Sequence, residues 1–126
     1  MLRSDHPGAF YVAQADGAFL ATEATRGPWS PEHQHGGPPS ALIMRAVEHY
    51  GDDAADFVVV RLTVELLQSI AIDSALTVEI EPIKLGRQAQ RLVVRLRLGD
   101  GKLVAYATAL RLRAADVTLP ESPRHP

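Results

Sequence analysis

Along the second half of the chain, apolar and polar positions alternate with period two. Val58, Val60, Leu62, Val64 and Leu66 alternate with Phe57, Val59, Arg61, Thr63 and Glu65. Leu76, Val78 and Ile80 alternate with Thr77, Glu79 and Glu81, and Leu92, Val94, Leu96 and Leu98 with Arg91, Val93, Arg95 and Arg97. A last run, about Lys102 to Arg113, sets Ala105, Ala107 and Ala109 against Val104, Tyr106, Thr108 and Leu110. This rhythm predicts four strands, the last two joined by a hairpin turn at Gly99-Asp100-Gly101.

Ahead of these strands the period changes. From about Pro38 to Tyr50 the chain reads as a helix that stops at Gly51. Ala41, Leu42, Ile43, Met44, Ala46 and Val47 make it apolar almost all round, so it is expected to be wrapped rather than laid on a surface. Earlier still, Ala9 to Gln14 and Ala18 to Thr25 are short β-prone stretches joined by an Asp16-Gly17 turn. Residues 1–8 read as a flexible lead and 114–126, rich in proline, as a tail or inter-domain linker; residues 9–113 form the one expected domain. Long strands joined by short turns imply an α+β fold: a curved antiparallel sheet with one helix beneath it. On its outer face Arg61, Arg91, Arg95 and Arg97 lie beside Glu65, Glu79 and Glu81, which cross-strand ion pairs explain.

Composition narrows the function classes. A formal net charge of -2 gives no reason to expect nucleic acid or an acidic membrane as partner. The absence of cysteine excludes disulfides, thiol nucleophiles and cysteine-ligated zinc. No segment has a signal-peptide or transmembrane pattern, and a cytoplasmic location is the expectation.

The chemistry-bearing segment is Glu32-His33-Gln34-His35-Gly36-Gly37-Pro38-Pro39-Ser40. Two glycines leave bare backbone N–H groups where the helix dipole points its positive end, a junction that holds a phosphate, polarises a carbonyl, or simply turns the chain. Glu32 and His35 are candidates for a base, with solvated loop residues as the alternative. Two histidines and one carboxylate make a poor metal signature, and no metal is expected. Lys84, Gly86 and Arg87 read either as a charged hairpin or as cations for phosphate. Trp29 reads either as the wall of an acyl or pantetheine channel or as a cap on the core. Ser40 reads as a plain helix-start serine.

The order of these segments resembles a hotdog domain, and in particular the N-terminal half of acyl-CoA thioesterases of the thioesterase II (TesB-like) family. The residues that carry the resemblance are Arg26-Gly27-Pro28-Trp29, His35-Gly36-Gly37 with its helix, and Val60-Arg61-Leu62-Thr63-Val64-Glu65-Leu66-Leu67. Ile83-Lys84-Leu85-Gly86-Arg87 and Val104 to Leu112 complete the match, over about residues 10 to 113. The resemblance implies an acyl-CoA thioester hydrolase, with the thioester carbonyl on the Gly37 N–H and Gly36 beside it. No cofactor is implied beyond the coenzyme A of the substrate. In the related phenylacetyl-CoA type, a catalytic aspartate follows His-Gly-Gly by about two helical turns; here Met44 stands at that place with Arg45 beside it. The resemblance therefore also implies a partner unit that supplies the base, either a second hotdog unit or a second copy in a homodimer. A non-catalytic module that binds acyl-CoA, or serves as the dimerising half of a double-hotdog thioesterase, is the alternative.

Overall fold

The computed structural model describes residues 8–122. Most of the expected lead and the last four residues of the expected tail lie outside the described residues. Six strands form a single antiparallel sheet: β1 (Tyr11–Ala13), β2 (Phe19–Ala21), β3 (Phe57–Leu66), β4 (Ala75–Leu85), β5 (Ala89–Leu98) and β6 (Leu103–Arg113). Their order is β1-β2-β4-β5-β6-β3. One helix, α1 (Gly37–Glu48), lies against the inner face.

The core is where the helix meets the middle strands. Leu42, Ile43 and Val47 of α1 pack with Leu76 of β4, Leu92, Val94 and Leu96 of β5, and Ala105, Ala107 and Ala109 of β6. The small side chains of β6 are placed so that the helix can approach the sheet closely. The curled sheet wraps α1 as expected of an almost all-apolar helix and leaves one stripe of it uncovered. Ala41, Arg45 and Glu48 are exposed and Met44 is half-buried.

The expected stripe on β3 is also corrected. The pairing of β3 with β6 shifts register between Val59 and Arg61, which makes Val60 a bulge. An extra residue reverses the alternation. Phe57 and Val59 therefore face inward with Leu62 and Val64, while Val58 and Val60 are about half-exposed at 53% and 51%. β4 runs four residues past Glu81, with a second register shift around Ile83. Pro82 fits there because β2 pairs with β4 only at Ala75 and Leu76, so no neighbour on that side needs its N–H.

Outer-face charges divide into two groups. Arg95 reaches Glu81 at 2.7 Å and Glu79 at 3.7 Å, and Arg97 reaches Glu79 at 3.2 Å. Hydrogen bonding and attraction from Glu81 hold the Arg95 guanidinium above its ordinary pKa. Arg61, Arg91 and Lys84 make no ion pair among the described residues, and Lys84 lies directly opposite Arg91 in register. Among the described residues no helix is long and apolar enough to cross a membrane.

Candidate active site at the start of the central helix

Three short segments hold the approach to α1. Residues 33–35 run between residues 25–27 and 70–72. Gly27 N–H donates to His33 O at 3.1 Å and His35 N–H to Thr25 O at 2.9 Å. On the other side Gln34 N–H donates to Ile70 O and Ile72 N–H to Glu32 O, both at 2.9 Å. Glycine is needed at position 27, because a Cβ there would sit 3.0 Å from the Cβ of His35. The Gln34 side chain locks this strip to the first strand: Tyr11 Oη donates to Gln34 Oε1 at 2.6 Å, and Gln34 Nε2 donates to Ala71 O at 3.1 Å. Burial pushes the Tyr11 phenol above its ordinary pKa.

Held in this way, His35 turns its ring back on the helix. Gly37 N–H donates to His35 Nδ1 at 3.3 Å. An imidazole nitrogen that accepts carries no proton, so this hydrogen bond assigns the ring proton of neutral His35 to Nε2. In this arrangement Nε2 is a donor, not a base. Pro38 and Pro39 in the first helical turn have no N–H, and Gly36 N–H has no partner among the described residues. Gly36 and Gly37 are thus the only backbone donors at the positive end of the helix. A side chain at either position would crowd the site: a Cβ on Gly36 would meet Leu66 Cδ1 at 2.8 Å, and one on Gly37 would meet His35 Cε1 at 3.0 Å, so the Leu66 or His35 side chain would have to move. Ser40 Oγ donates to Gly36 O at 2.8 Å, which engages the hydroxyl locally.

A cleft of about 350 Å³ opens at this point, lined among others by His35, Gly36, Pro39, Leu66, Gln68 and Ser69. None of its lining residues is a carboxylate. Gln68 and Ser69 escaped the sequence reading because they follow the end of β3, outside any periodic run. Their side chains make no hydrogen bond among the described residues, so both are free to meet a ligand or a water.

The other predicted residues lie elsewhere. Glu32 is exposed and opens, with Arg26, His33 and Asp73, onto a different cleft of about 580 Å³. The His33–Ala71 bridge lies at its border. Gly86 and Arg87 sit at the turn from β4 to β5, beside the far end of α1, where they line a cleft of about 480 Å³ with Asp52, Asp53 and Arg113. α1 has 12 residues, so about 18 Å of helix separates that turn from the helix start. Gly86 has a structural reason of its own, since a Cβ there would lie 2.7 Å from Ala89 O. Lys84 is on the outer face. Trp29 is 91% exposed, so the expectation that it caps the core is corrected: it stands at the tip of the loop that Gly27 and His33 close. Among the described residues no three His, Asp or Glu side chains gather as a metal site.

A buried arginine fixes the opposite end of the helix. Arg111 continues the inward stripe of Ala105, Ala107 and Ala109 and is only 1% exposed. Its Nη1 donates to Val47 O at 2.9 Å and Tyr50 O at 3.0 Å, and its Nη2 donates to Gln90 Oε1. Gln90 Nε2 in turn donates to Asp53 Oδ2 at 3.1 Å. A cation on the last helical carbonyls complements the negative end of the helix dipole. Arg111 Nε has no hydrogen-bond partner, and the guanidinium lies over the rings of Phe57 and Tyr50 at 5.3 and 5.7 Å.

Residues 25–114 match the model of the acyl-CoA thioesterase N-terminal domain. The chain belongs to that family. No curated protein matches it. Among solved structures, this thioesterase domain is similar to a thioesterase from Thermus thermophilus complexed with coenzyme A and zinc. They share 20% identity over 82% of this chain and 84% of that one, with a TM-score of 0.67. A variant thioesterase protein from Streptococcus pneumoniae is 18% identical over 84% and 90% of the two chains, with a TM-score of 0.68. The E. coli PaaI protein of the phenylacetic acid degradation operon is 17% identical over 78% and 70%, with a TM-score of 0.63. At these identities the likeness establishes the fold, and that fold is the hotdog: one helix held by a curled antiparallel sheet.

Proposed function

We propose that this domain hydrolyses acyl-CoA thioesters, with the carbonyl held at the start of α1 and the base supplied by a second hotdog unit. The observation that carries this reading is the cleft at His35 and Gly36, which has the free Gly36 amide and the His35 ring at the helix's positive pole but no acid. Family membership and the coenzyme A in the Thermus structure support the substrate class. Water attacks the carbonyl carbon and forms the new C–O bond. The negative charge that develops on oxygen meets Gly36 N–H and His35 Nε2–H. Gly37 N–H acts through His35 by fixing its tautomer, or directly once the ring turns away. Collapse breaks the C–S bond, and the proton taken from water by the base is passed to the departing thiolate. One preorganised donor of this kind is worth about 3 kcal/mol in other enzymes.

Two features support a second unit as the source of the base. Among the described residues β3 pairs only with β6, which leaves the other edge of a ten-residue strand open. The uncovered positions Ala41 and Met44 on α1 lie in reach of a partner helix. A twofold axis that sets the two helices antiparallel brings the Lys84–Arg87 turn of one unit toward the helix start of the other, where those cations meet the phosphates of coenzyme A. Trp29, at its loop tip, contributes to the pantetheine path in the same assembly. Both a homodimer and the two halves of a thioesterase II chain satisfy this plan.

The acid-free cleft also favours a second reading, a non-catalytic acyl-CoA-binding half. Thiol release from octanoyl-CoA, measured with calorimetric binding and sedimentation of the same sample, separates the two. Turnover that rises with the dimer fraction supports the hydrolase. Binding without release in a fully assembled dimer identifies the binding module.

A further inference from the structure

A second cleft lies beside the helix start, against the β1–β2 hairpin. It holds about 270 Å³ and is lined by Phe10, Tyr11, Phe19, Pro38, Leu42 and Arg45, together with two alanines. The Tyr11–Gln34 hydrogen bond ties this cleft to the cleft of the amide donors: Tyr11 lines the first and Gln34 the second. The two prolines of the helix start divide in the same way, with Pro38 in one and Pro39 in the other. A thioester carbonyl at the glycine amides therefore has an apolar slot beside it, running down α1 between the helix and the β1–β2 hairpin.

Among the described residues, Arg45 stands in that slot with no counter-charge. The lining holds no other charged group, and the Tyr11 hydroxyl is already given to Gln34. Among the described residues the Arg45 side chain makes no hydrogen bond and no ion pair; only its carbonyl is engaged, by His49. Glu48, one turn on, makes no ion pair with it. Arg45 follows Pro38 by seven residues, about two helical turns on the same face and roughly 10 Å along the axis. An apolar slot that ends on a free guanidinium matches an apolar ligand that ends on an anion. Guanidinium binds carboxylate through two parallel N–H bonds, a stronger and more directional contact than a lysine makes.

We infer that the acyl groups this site selects carry a second carboxylate at the end away from the thioester, which Arg45 binds. The inference rests on the thioester-binding reading above and adds the substrate class. Its test uses binding, so it is independent of turnover. Calorimetry compares an S-(carboxyalkyl)-coenzyme A thioether with the S-alkyl thioether of the same chain length, over a series of lengths. The expected result is an affinity about tenfold higher for the carboxylated member near the matching length. That preference falls to near unity in Arg45→Met and is partly kept in Arg45→Lys. No preference in the unaltered chain, or a preference that survives Arg45→Met, overturns the assignment. If neither thioether binds, the thioester-binding reading fails with it; if both bind equally, only the carboxylate assignment fails. Circular dichroism of the variants confirms that the fold is intact.

Discussion

Gly37 N–H and His35 Nδ1 face each other at 3.3 Å across the first turn of α1, so the imidazole acts as a cap for the helix that it precedes. This exposed bond contributes little to stability, about 1 kcal/mol or less. Its effect lies in which way the ring proton points. His35→Ala is expected to leave the melting temperature nearly unchanged while lowering thiol release from acyl-CoA at least tenfold. His35→Asn, whose side-chain carbonyl can accept from Gly37 and whose amide can donate, should recover part of the loss. Equal activity in all three proteins would remove His35 from the site.

Gly36→Ala places a methyl group 2.8 Å from Leu66 Cδ1. Leu66 is half-exposed at 49% and can give way, so the cost to stability is small. Its displaced methyl then fills the cleft at the free amide. Activity is expected to fall by the ~10²-fold typical of a lost oxyanion donor. Leu66→Ala in the same chain should restore a substantial part, and a double-mutant cycle of kcat/KM measures that coupling.

Gly86→Ala has the opposite signature. The obstructing atom is the backbone oxygen of Ala89, which cannot rotate aside. The β4–β5 turn is expected to open, costing about 1–3 kcal/mol. Chemical denaturation measures that loss directly. Coenzyme A affinity measured by calorimetry should fall further than the loss of folded protein explains, because Arg87 moves with the turn.

Arg111→Ala removes the group that satisfies the carbonyls of Val47, in the last helical turn, and Tyr50, just past it, together with Gln90, and it empties a large buried volume. About 3–5 kcal/mol of stability should be lost, among the largest effects of any single change in the chain. Arg111→Met refills much of the volume but leaves the carbonyls bare, so it should fall between the two. Urea titration of the three proteins gives the order.

Tyr11 makes the stability sensitive to alkali. Its folded pKa is raised by burial, so in the unfolded chain the phenol ionises first. The stabilising contribution is complete below the unfolded value of about 10 and is lost as pH rises above it. Melting temperatures are expected to fall above about pH 10, and Tyr11→Phe should flatten that fall while forfeiting the bond to Gln34.

Four alternating strands and a glycine-led helix were enough to read the fold. Where the reading slipped, polar contrast was missing. Val58, Val59 and Val60 are three successive valines, so the extra residue that reverses β3 leaves no mark in the pattern. Arg111 occupies an inward position after three alanines, and a charged residue reads as outward unless the helix carbonyls that receive it are known. The helix-start glycines were legible because their chemistry is local. Glu32 is three residues from His35 yet opens onto another cleft, because residues 70–72 pair with the strip between them. Sequence proximity cannot register a pairing made nearly forty residues away.

The Gly-Gly-Pro-Pro opening also determines how the site can be observed. Four consecutive backbone nitrogens at the positive pole carry only two hydrogens, and both belong to glycines. In a nitrogen–proton NMR spectrum, glycine amides occupy their own region, well separated from most of the chain. Two resonances, from residues 36 and 37, therefore report everything that the backbone of this pole does. A ligand carbonyl settling there, or the His35 ring swinging away, registers on that pair with no reporter group attached and no residue altered.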